Sequence, residues 1–409
     1  MDNLNPRLKL LKPYPFERLR LLLADVVACT EFAPVNLSIG EPKHPTPQRV
    51  RDALCGALDG LASYPATAGT EQLRQTIAAW LTRRYGLQAL NPATQVLPIN
   101  GSREALFAMA QTVLDPSKGE RDPAQRPVLI CPNPFYQIYE GAALLAGAQP
   151  HYVDQTATDQ FRCNWDAVPV DIWRRTQLLI VCSPGNPTGA VIDQNEWAKL
   201  FELSDRYGFV IGSDECYAEI YLDENQPPLG ALQAATALGR SDFRRLIVFG
   251  SLSKRSNCPG MRSGYVAGDA ALIKAFLLYR TYHGSAMGGA IQAASVAAWS
   301  DETHVIENRR QYQAKFDALV PMLGTILKTA RPQAGFYLWA QTPKGDDEQF
   351  VRELYRQYNV LLLPGSYLAR DTDQGNPARG FVRIALVEPL AACIEGAQRI
   401  EQFVASQVH

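Results

Sequence analysis

The feature that most constrains this 409-residue chain is a repeated rhythm of apolar runs broken by polar turns. Leu178-Leu179-Ile180-Val181-Cys182 is continuously apolar and stops at Ser183-Pro184-Gly185-Asn186-Pro187-Thr188-Gly189. A helix follows, with Trp197, Leu200, Phe201 and Leu203 apolar and an end near Gly208. Phe209-Val210-Ile211-Gly212-Ser213 is the next run and ends in Asp214-Glu215-Cys216-Tyr217. Runs without alternation suit parallel strands covered on both faces. A helix between two of them marks a βαβ unit, and its repetition predicts a parallel sheet. Val128–Cys131 and Leu246–Phe249 extend the pattern. Ligands bind such sheets beyond the carboxyl ends of the strands. Asn186, Asp214 and Ser251-Leu252-Ser253-Lys254 all fall at such ends.

The last stretch carries two hydroxyls and one amine, with Arg262 eight residues on. A lysine just past a buried strand is partly desolvated, which lowers its pKa and frees the amine to attack a carbonyl. Serines and an arginine beside it suit a phosphate dianion. A Ser-rich turn with a solvated lysine is the competing reading. Asn100-Gly101-Ser102-Arg103-Glu104 opens a helix striped by Ala105, Leu106, Met109, Ala110, Val113 and Leu114, which puts free N–H groups at Gly101 and Ser102. Tyr136 follows a strand, where it is either a core aromatic or a platform for a flat ligand. Gly40, between Ile39 and Glu41-Pro42, permits a close backbone turn. Arg383 interrupts the apolar strand Phe381–Leu386, which is costly without a ligand carboxylate or an internal acid as partner.

Elsewhere, residues 1–35 read as an arm and a short helix with Leu19, Leu22, Leu23, Val26 and Val27 on one face. Residues 48–61 read as a helix, 115–127 as a polar exposed loop, and 302–328 as helices of a second, α+β lobe. A chain this long predicts two lobes. They are a large domain over 46–290, and a smaller one from 291–409 with an arm from 1–45.

Net charge is −1, with 20% charged and 46% apolar residues, and no charge block suggests a nucleic-acid or membrane partner. Eight scattered cysteines show no Cys-x-x-Cys and no zinc spacing, as in reduced cytosolic proteins. No metal site is expected. Met1 to Pro6 is polar and unlike a signal peptide, and Tyr282–Ser300, uncharged for 19 residues, is Gly/Ala/Ser-rich rather than a membrane span. The expected location is the cytoplasm. P-loop, HExxH, GxSxG and GxGxxG motifs are absent.

Taken together, Ser251-x-Ser-Lys254 with Arg262, Asn186-Pro-Thr-Gly, Asp214-x-x-Tyr217 and Arg383 resemble the fold type I pyridoxal-phosphate (PLP) aminotransferases of class I/II across nearly the whole chain. The resemblance implies an α/β fold with a mostly parallel seven-stranded sheet sandwiched by helices, plus a smaller α+β domain. Lys254 is similar to the lysine that forms the internal Schiff base and then shuttles the proton. Asp214 resembles the carboxylate paired with the pyridine nitrogen. Asn186 and Tyr217 resemble the partners of the ring O3′, and Tyr136 takes the stacking position. Ser102, Arg103, Ser251, Ser253 and Arg262 fit the phosphate cup, the first two through backbone N–H groups. Arg383 fits the fork for the substrate α-carboxylate, with Asn186 and the Gly40 N–H beside it. Tyr64 fits the tyrosine that reaches the cofactor phosphate of the other subunit, which implies a homodimer with shared sites.

Within that family, Ser251–Gly264, Asn100–Phe107 and Pro13-Tyr14-Pro15-Phe16 are similar to bacterial N-succinyl-L,L-diaminopimelate aminotransferases of lysine biosynthesis, although Cys258 and Met261 replace aliphatic residues expected there. Their substrates are N-succinyl-L,L-diaminopimelate and 2-oxoglutarate. Arg103 and Arg255 are candidates for the distal end of that substrate. The rivals are aspartate, aromatic or unsuccinylated-diaminopimelate aminotransferases and a PLP β-lyase. A non-catalytic PLP-binding regulator is disfavoured, because about 35 residues precede the first cofactor-lobe features and Lys254, Asp214 and Arg383 are retained.

Overall fold

The computed structural model describes residues 4–407; Met1 to Asn3 and residues 408–409 lie outside the described residues. Among the described residues, twelve strands occur in the order β1 (Val35–Asn36), β2 (Val96–Ile99), β3 (Val128–Asn133), β4 (Gln149–Asp154), β5 (Thr176–Cys182), β6 (Val210–Asp214), β7 (Leu246–Ser251), β8 (Gly264–Gly268), β9 (Tyr337–Gln341), β10 (Val360–Leu361), β11 (Leu363–Pro364) and β12 (Phe381–Ala385).

Seven strands form one sheet in the order β2-β8-β7-β6-β5-β3-β4. The pairings from β7 through β4 are parallel, and β8 runs antiparallel between β2 and β7. Burial of both faces accounts for the continuous apolar runs. Leu178, Leu179, Ile211, Ile247, Val248 and Leu129 are all buried, in two cores on opposite faces of the sheet. Local signals set the connecting helices. Gln194–Tyr207 starts where the Asp193 carboxylate accepts from the Glu196 N–H and stops at left-handed Gly208.

A separate core gathers around the antiparallel sheet β11-β12-β9 and the helices Thr303–Leu323, Asp347–Tyr358 and Leu390–Ser406. β1 joins this side by parallel pairing with β10. That pairing carries the chain over residues 37–42 across the ends of the large sheet.

Several elements differ from the sequence expectation. The first helix covers only Pro15–Leu22, because Arg352 takes the Leu22 carbonyl and pairs with Asp25, and Val27 is left exposed. The span 48–61 is split at Gly56 into an α-helix, Gln48–Cys55, and a 3-10 turn, Leu58–Ala62. The loop 115–127 contains a short exposed helix, Ser117–Arg121. Helix Gly289–Trp299 packs against helices Gln48–Cys55 and Glu71–Tyr85, and its Ala294, Ala298 and Trp299 join a large-sheet core. Among the described residues, no helix is long and apolar enough to cross a membrane.

Candidate active site

The carboxyl ends of β3, β5, β6 and β7 and the start of helix Ser102–Val113 converge on a cavity of about 390 Å³. Ser102, Arg103, Tyr136, Asn186, Asp214, Tyr217, Ser251, Ser253, Lys254, Arg262, Arg383 and Gly40 all line it. The twelve come from segments up to 343 residues apart, so only folding brings them together. Tyr64 does not line it; that side chain is fully exposed on the turn before helix Glu71–Tyr85.

Lys254 lies on the one-turn helix Leu252–Arg255, capped by the Ser251 hydroxyl, which accepts from the Ser253 N–H. Its amine donates to the Gly40 carbonyl at 2.6 Å. Burial pushes this amine down to about 8, helped by Arg383 and Arg262 and opposed by Cys216 and Glu41. The sequence reading gave Gly40 an N–H role; in this structure its carbonyl meets the lysine. A Cβ on Gly40 would sit 1.9 Å from the Tyr337 hydroxyl, so only glycine lets the backbone approach this closely.

Asp214 ends β6. It accepts from the Tyr139 hydroxyl at 2.8 Å and from the Cys216 N–H at 3.3 Å. Burial pushes its pKa up, while those hydrogen bonds and the nearby Lys254 pull it down. A cationic group above it would complete the balance. Tyr217 shares a 3.0 Å hydrogen bond with Tyr337, and burial raises its phenol well above the usual range.

Arg262 is a non-glycine residue in the left-handed region, at φ 52°. Such backbone strain is typical of functional sites. Its guanidinium lies against Gly101, where a Cβ would come within 2.3 Å of it. Ser251, Ser253, Arg262 and the N-terminus of the helix from Ser102 therefore form one small polar cup.

Arg383 is buried on β12, opposite Trp339 of β9. It donates to Asn186 Oδ1 at 3.0 Å and to the Ser38 carbonyl at 2.9 Å, and its Nε has no partner. Among the described residues no carboxylate pairs with it. Of the two partners the sequence left open, an internal acid is thus ruled out within the described residues. Arg383 lines the cavity, and a buried guanidinium with no acid beside it suits a ligand carboxylate.

Arg103 donates to the Tyr136 hydroxyl at 2.6 Å from the cavity mouth. Arg255, the other arginine considered for a distal substrate group, is elsewhere. It is buried between Trp80 and Trp299 and bonded to the Ala298 and Asp301 carbonyls and to Glu302. Tyr139 and Tyr337 were not legible as site residues. Tyr139 is one turn past Tyr136, but nothing in the sequence shows that it faces Asp214. Tyr337 needs the β9–β12 pairing, which sequence does not reveal.

A polar cup, Tyr136 and Asp214 on the same cavity, an amine of lowered pKa and an arginine without an acid partner suit a phosphorylated aromatic aldehyde with an amino-acid carboxylate beside it. The sequence model for aminotransferase class I and II matches residues 33–399. The chain belongs to this family.

Family members use PLP, and the residues here fit it. A curated L,L-diaminopimelate aminotransferase from Desulforudis audaxviator is 31% identical over 96% of both chains. A crystal structure of an aminotransferase from Neisseria meningitidis is 51% identical, with a TM-score of 0.93 over 98% of this chain and 100% of that one. A probable N-succinyldiaminopimelate aminotransferase from Thermus thermophilus is 26% identical, with a TM-score of 0.80 over 91% and 95%. The mixed, mostly parallel sheet and its flanking helices agree with these neighbours.

Proposed function

We propose that this PLP-dependent aminotransferase exchanges the amino group of N-succinyl-L,L-diaminopimelate with 2-oxoglutarate, in the diaminopimelate branch of lysine synthesis. Ser251, Ser253, Arg262 and the backbone at Ser102 and Arg103 would hold the phosphate. Tyr136 would stack on the ring, and Asn186 and Tyr217 would reach its hydroxyl. Asp214, held in place by Tyr139, would pair with the ring nitrogen. When bound, PLP supplies a carbonyl for the lysine amine and an electron sink for the substrate carbanion. Lys254, its pKa lowered to about 8, offers a far larger share of neutral amine near physiological pH than a solvated lysine, and would move the proton at the substrate α-carbon. Arg383 orients the α-carboxylate through its free donors.

The observation that carries the substrate assignment is the charge at the cavity mouth. Arg103 is exposed there, and Glu41 is tied to Lys43 at 3.7 Å. A succinylated diaminopimelate presents distal carboxylates and no distal ammonium, which suits an exposed guanidinium bonded, among the described residues, to the Tyr136 hydroxyl alone, and an acid with Lys43 beside it. Tyr14, Phe16 and Ile39 line the same mouth and suit its methylenes. The name of the Thermus thermophilus neighbour points the same way. The alternative substrate is free L,L-diaminopimelate, which the names of the curated relatives favour.

The test is a half-reaction. Cofactor-loaded protein is mixed separately with glutamate, N-succinyl-L,L-diaminopimelate and L,L-diaminopimelate, and loss of the visible cofactor band is followed. Conversion by the first two, with the free diamine at least about tenfold slower, is expected. Fast conversion by the free diamine and none by the succinylated one would move the assignment to the alternative.

We also infer a homodimer in which Tyr64 enters the partner's cavity. Its full exposure beside exposed Leu58 and Leu61 supports this. Sedimentation should give a dimer, and Tyr64→Ala should weaken cofactor retention.

A further inference from the structure

Outside the cavity, His44, Asn308 and Lys315 form a buried polar chain to which no role is yet attached. The Asn308 amide fixes its sense. Its Nδ2 donates to the Lys254 carbonyl at 3.3 Å, and its Oδ1 accepts from Asn257 Nδ2 at 3.0 Å. Oδ1 also lies 2.7 Å from His44 Nδ1, so that ring nitrogen must carry the proton. His44 Nε2 is then an acceptor, and Lys315 Nζ donates to it at 2.7 Å. The same ammonium donates to the Leu386 and Val387 carbonyls at 3.0 and 3.4 Å, just past the strand that carries Arg383. All of its protons are used.

The chain ends on the segment that touches both reactive groups. Ser38 receives Arg383, Gly40 receives the Lys254 amine, and Thr46 donates to the Asn257 carbonyl. His44 sits within this stretch, so it fastens residues 38–46 to the Lys254 backbone. A second contact runs alongside. His44 packs on Tyr312 with ring centres 4.6 Å apart, Tyr312 stacks on Phe336, and the Lys254 amine lies 5.6 Å from the Phe336 ring.

We propose that His44, held between Lys315 and Asn308, is a positioning residue for Lys254, fixing both its main-chain carbonyl and the segment whose Gly40 carbonyl meets its amine. The inference rests on Lys254 being the cofactor-bound amine. Burial and Lys315 hold His44 below its ordinary pKa, opposed by Asn308 and Glu307; burial lowers Lys315 to about 8, opposed by Cys393 and Glu388. The acceptor form of His44 therefore persists through the working range.

The test compares His44→Leu with His44→Gln in the cofactor-loaded enzyme. Glutamine can accept from Lys315 and donate to Asn308; leucine does neither. The readouts are the pH midpoint of the bound cofactor's absorbance change, kcat and thermal stability. For H44L the midpoint should move by about one unit, the scale of one hydrogen bond. Its kcat should fall about tenfold, less than the ~10²-fold of a full 1 Å misplacement. H44Q should recover most of both. An H44L enzyme that loses stability but keeps the wild-type midpoint and kcat would overturn the proposal, as would H44Q behaving like H44L. If H44L does not fold, Asn308→Leu, which cuts the bond to the Lys254 carbonyl without adding charge, carries the same expectation and the same refutation. A wild-type band borne by a different lysine would instead count against the assignment of Lys254.

Discussion

At the base of the cavity, Asp214, Tyr217, Ser251, Ser253 and Arg383 are buried, and Asp214, Tyr217 and Arg383 are held by partners from distant segments, Tyr139, Tyr337 and the Ser38 carbonyl. At its mouth, Arg103, Glu41 and Ile39 are exposed, and Tyr14 and Phe16 reach in from the N-terminal arm. The base is built on strand ends and the mouth on chain segments that cross them. A buried polar group needs a partner in a fixed place, so the base is over-determined. An exposed side chain faces no such demand. On this reading the base performs the chemistry common to the family and the mouth selects the substrate.

The comparison breaks first at Lys254. Lys254→Ala should lose the visible cofactor band and about 10³-fold or more in turnover while remaining folded, checked by absorbance, kinetics and circular dichroism. Near-normal transamination by that variant would remove the base from its role. Arg383→Ala should raise the KM for glutamate by ~10²-fold, the scale for losing one partner of a buried charged hydrogen bond, and keep the cofactor band. An unchanged KM would remove Arg383 from its assigned role.

Arg103→Gln probes the other region. It should raise the KM for the succinylated donor about tenfold, the worth of one charge-assisted hydrogen bond, and leave kcat and the band as they are. A large fall in kcat would instead place Arg103 with the base.

The smallest effect is in pH. In cofactor-free protein the folded-state pKa of Lys254 is depressed, so its amine should become reactive to acetic anhydride as pH rises through about 8 rather than 10.5. Arg383 contributes to that depression. Removing its charge with Arg383→Ala should therefore shift the labelling midpoint slightly upward, as read by mass spectrometry across pH.

This division also separates what sequence revealed from what it did not. Asn186, Asp214 and Lys254 were legible because each follows an apolar run that can only be a buried strand, and the ligand end of a parallel sheet is set by its topology. Arg383 was legible as a charge that needed a partner, but not which one; the structure supplies Asn186 and the Ser38 carbonyl and no acid. Tyr337 and Tyr139 depend on strand pairing and helix facing, which no local pattern encodes. His44, Asn308 and Lys315 lie up to 271 residues apart, and each alone reads as an ordinary polar residue. The end of the first helix was misread for a similar reason, since it is set by Arg352, 330 residues away.

The most direct test of the account is to locate the cofactor. Borohydride reduction of the loaded protein, followed by peptide mapping, should place the cofactor mass on Lys254 alone. Finding it on any other lysine would contradict the assignment on which the roles of Asp214, Arg383 and His44 all depend.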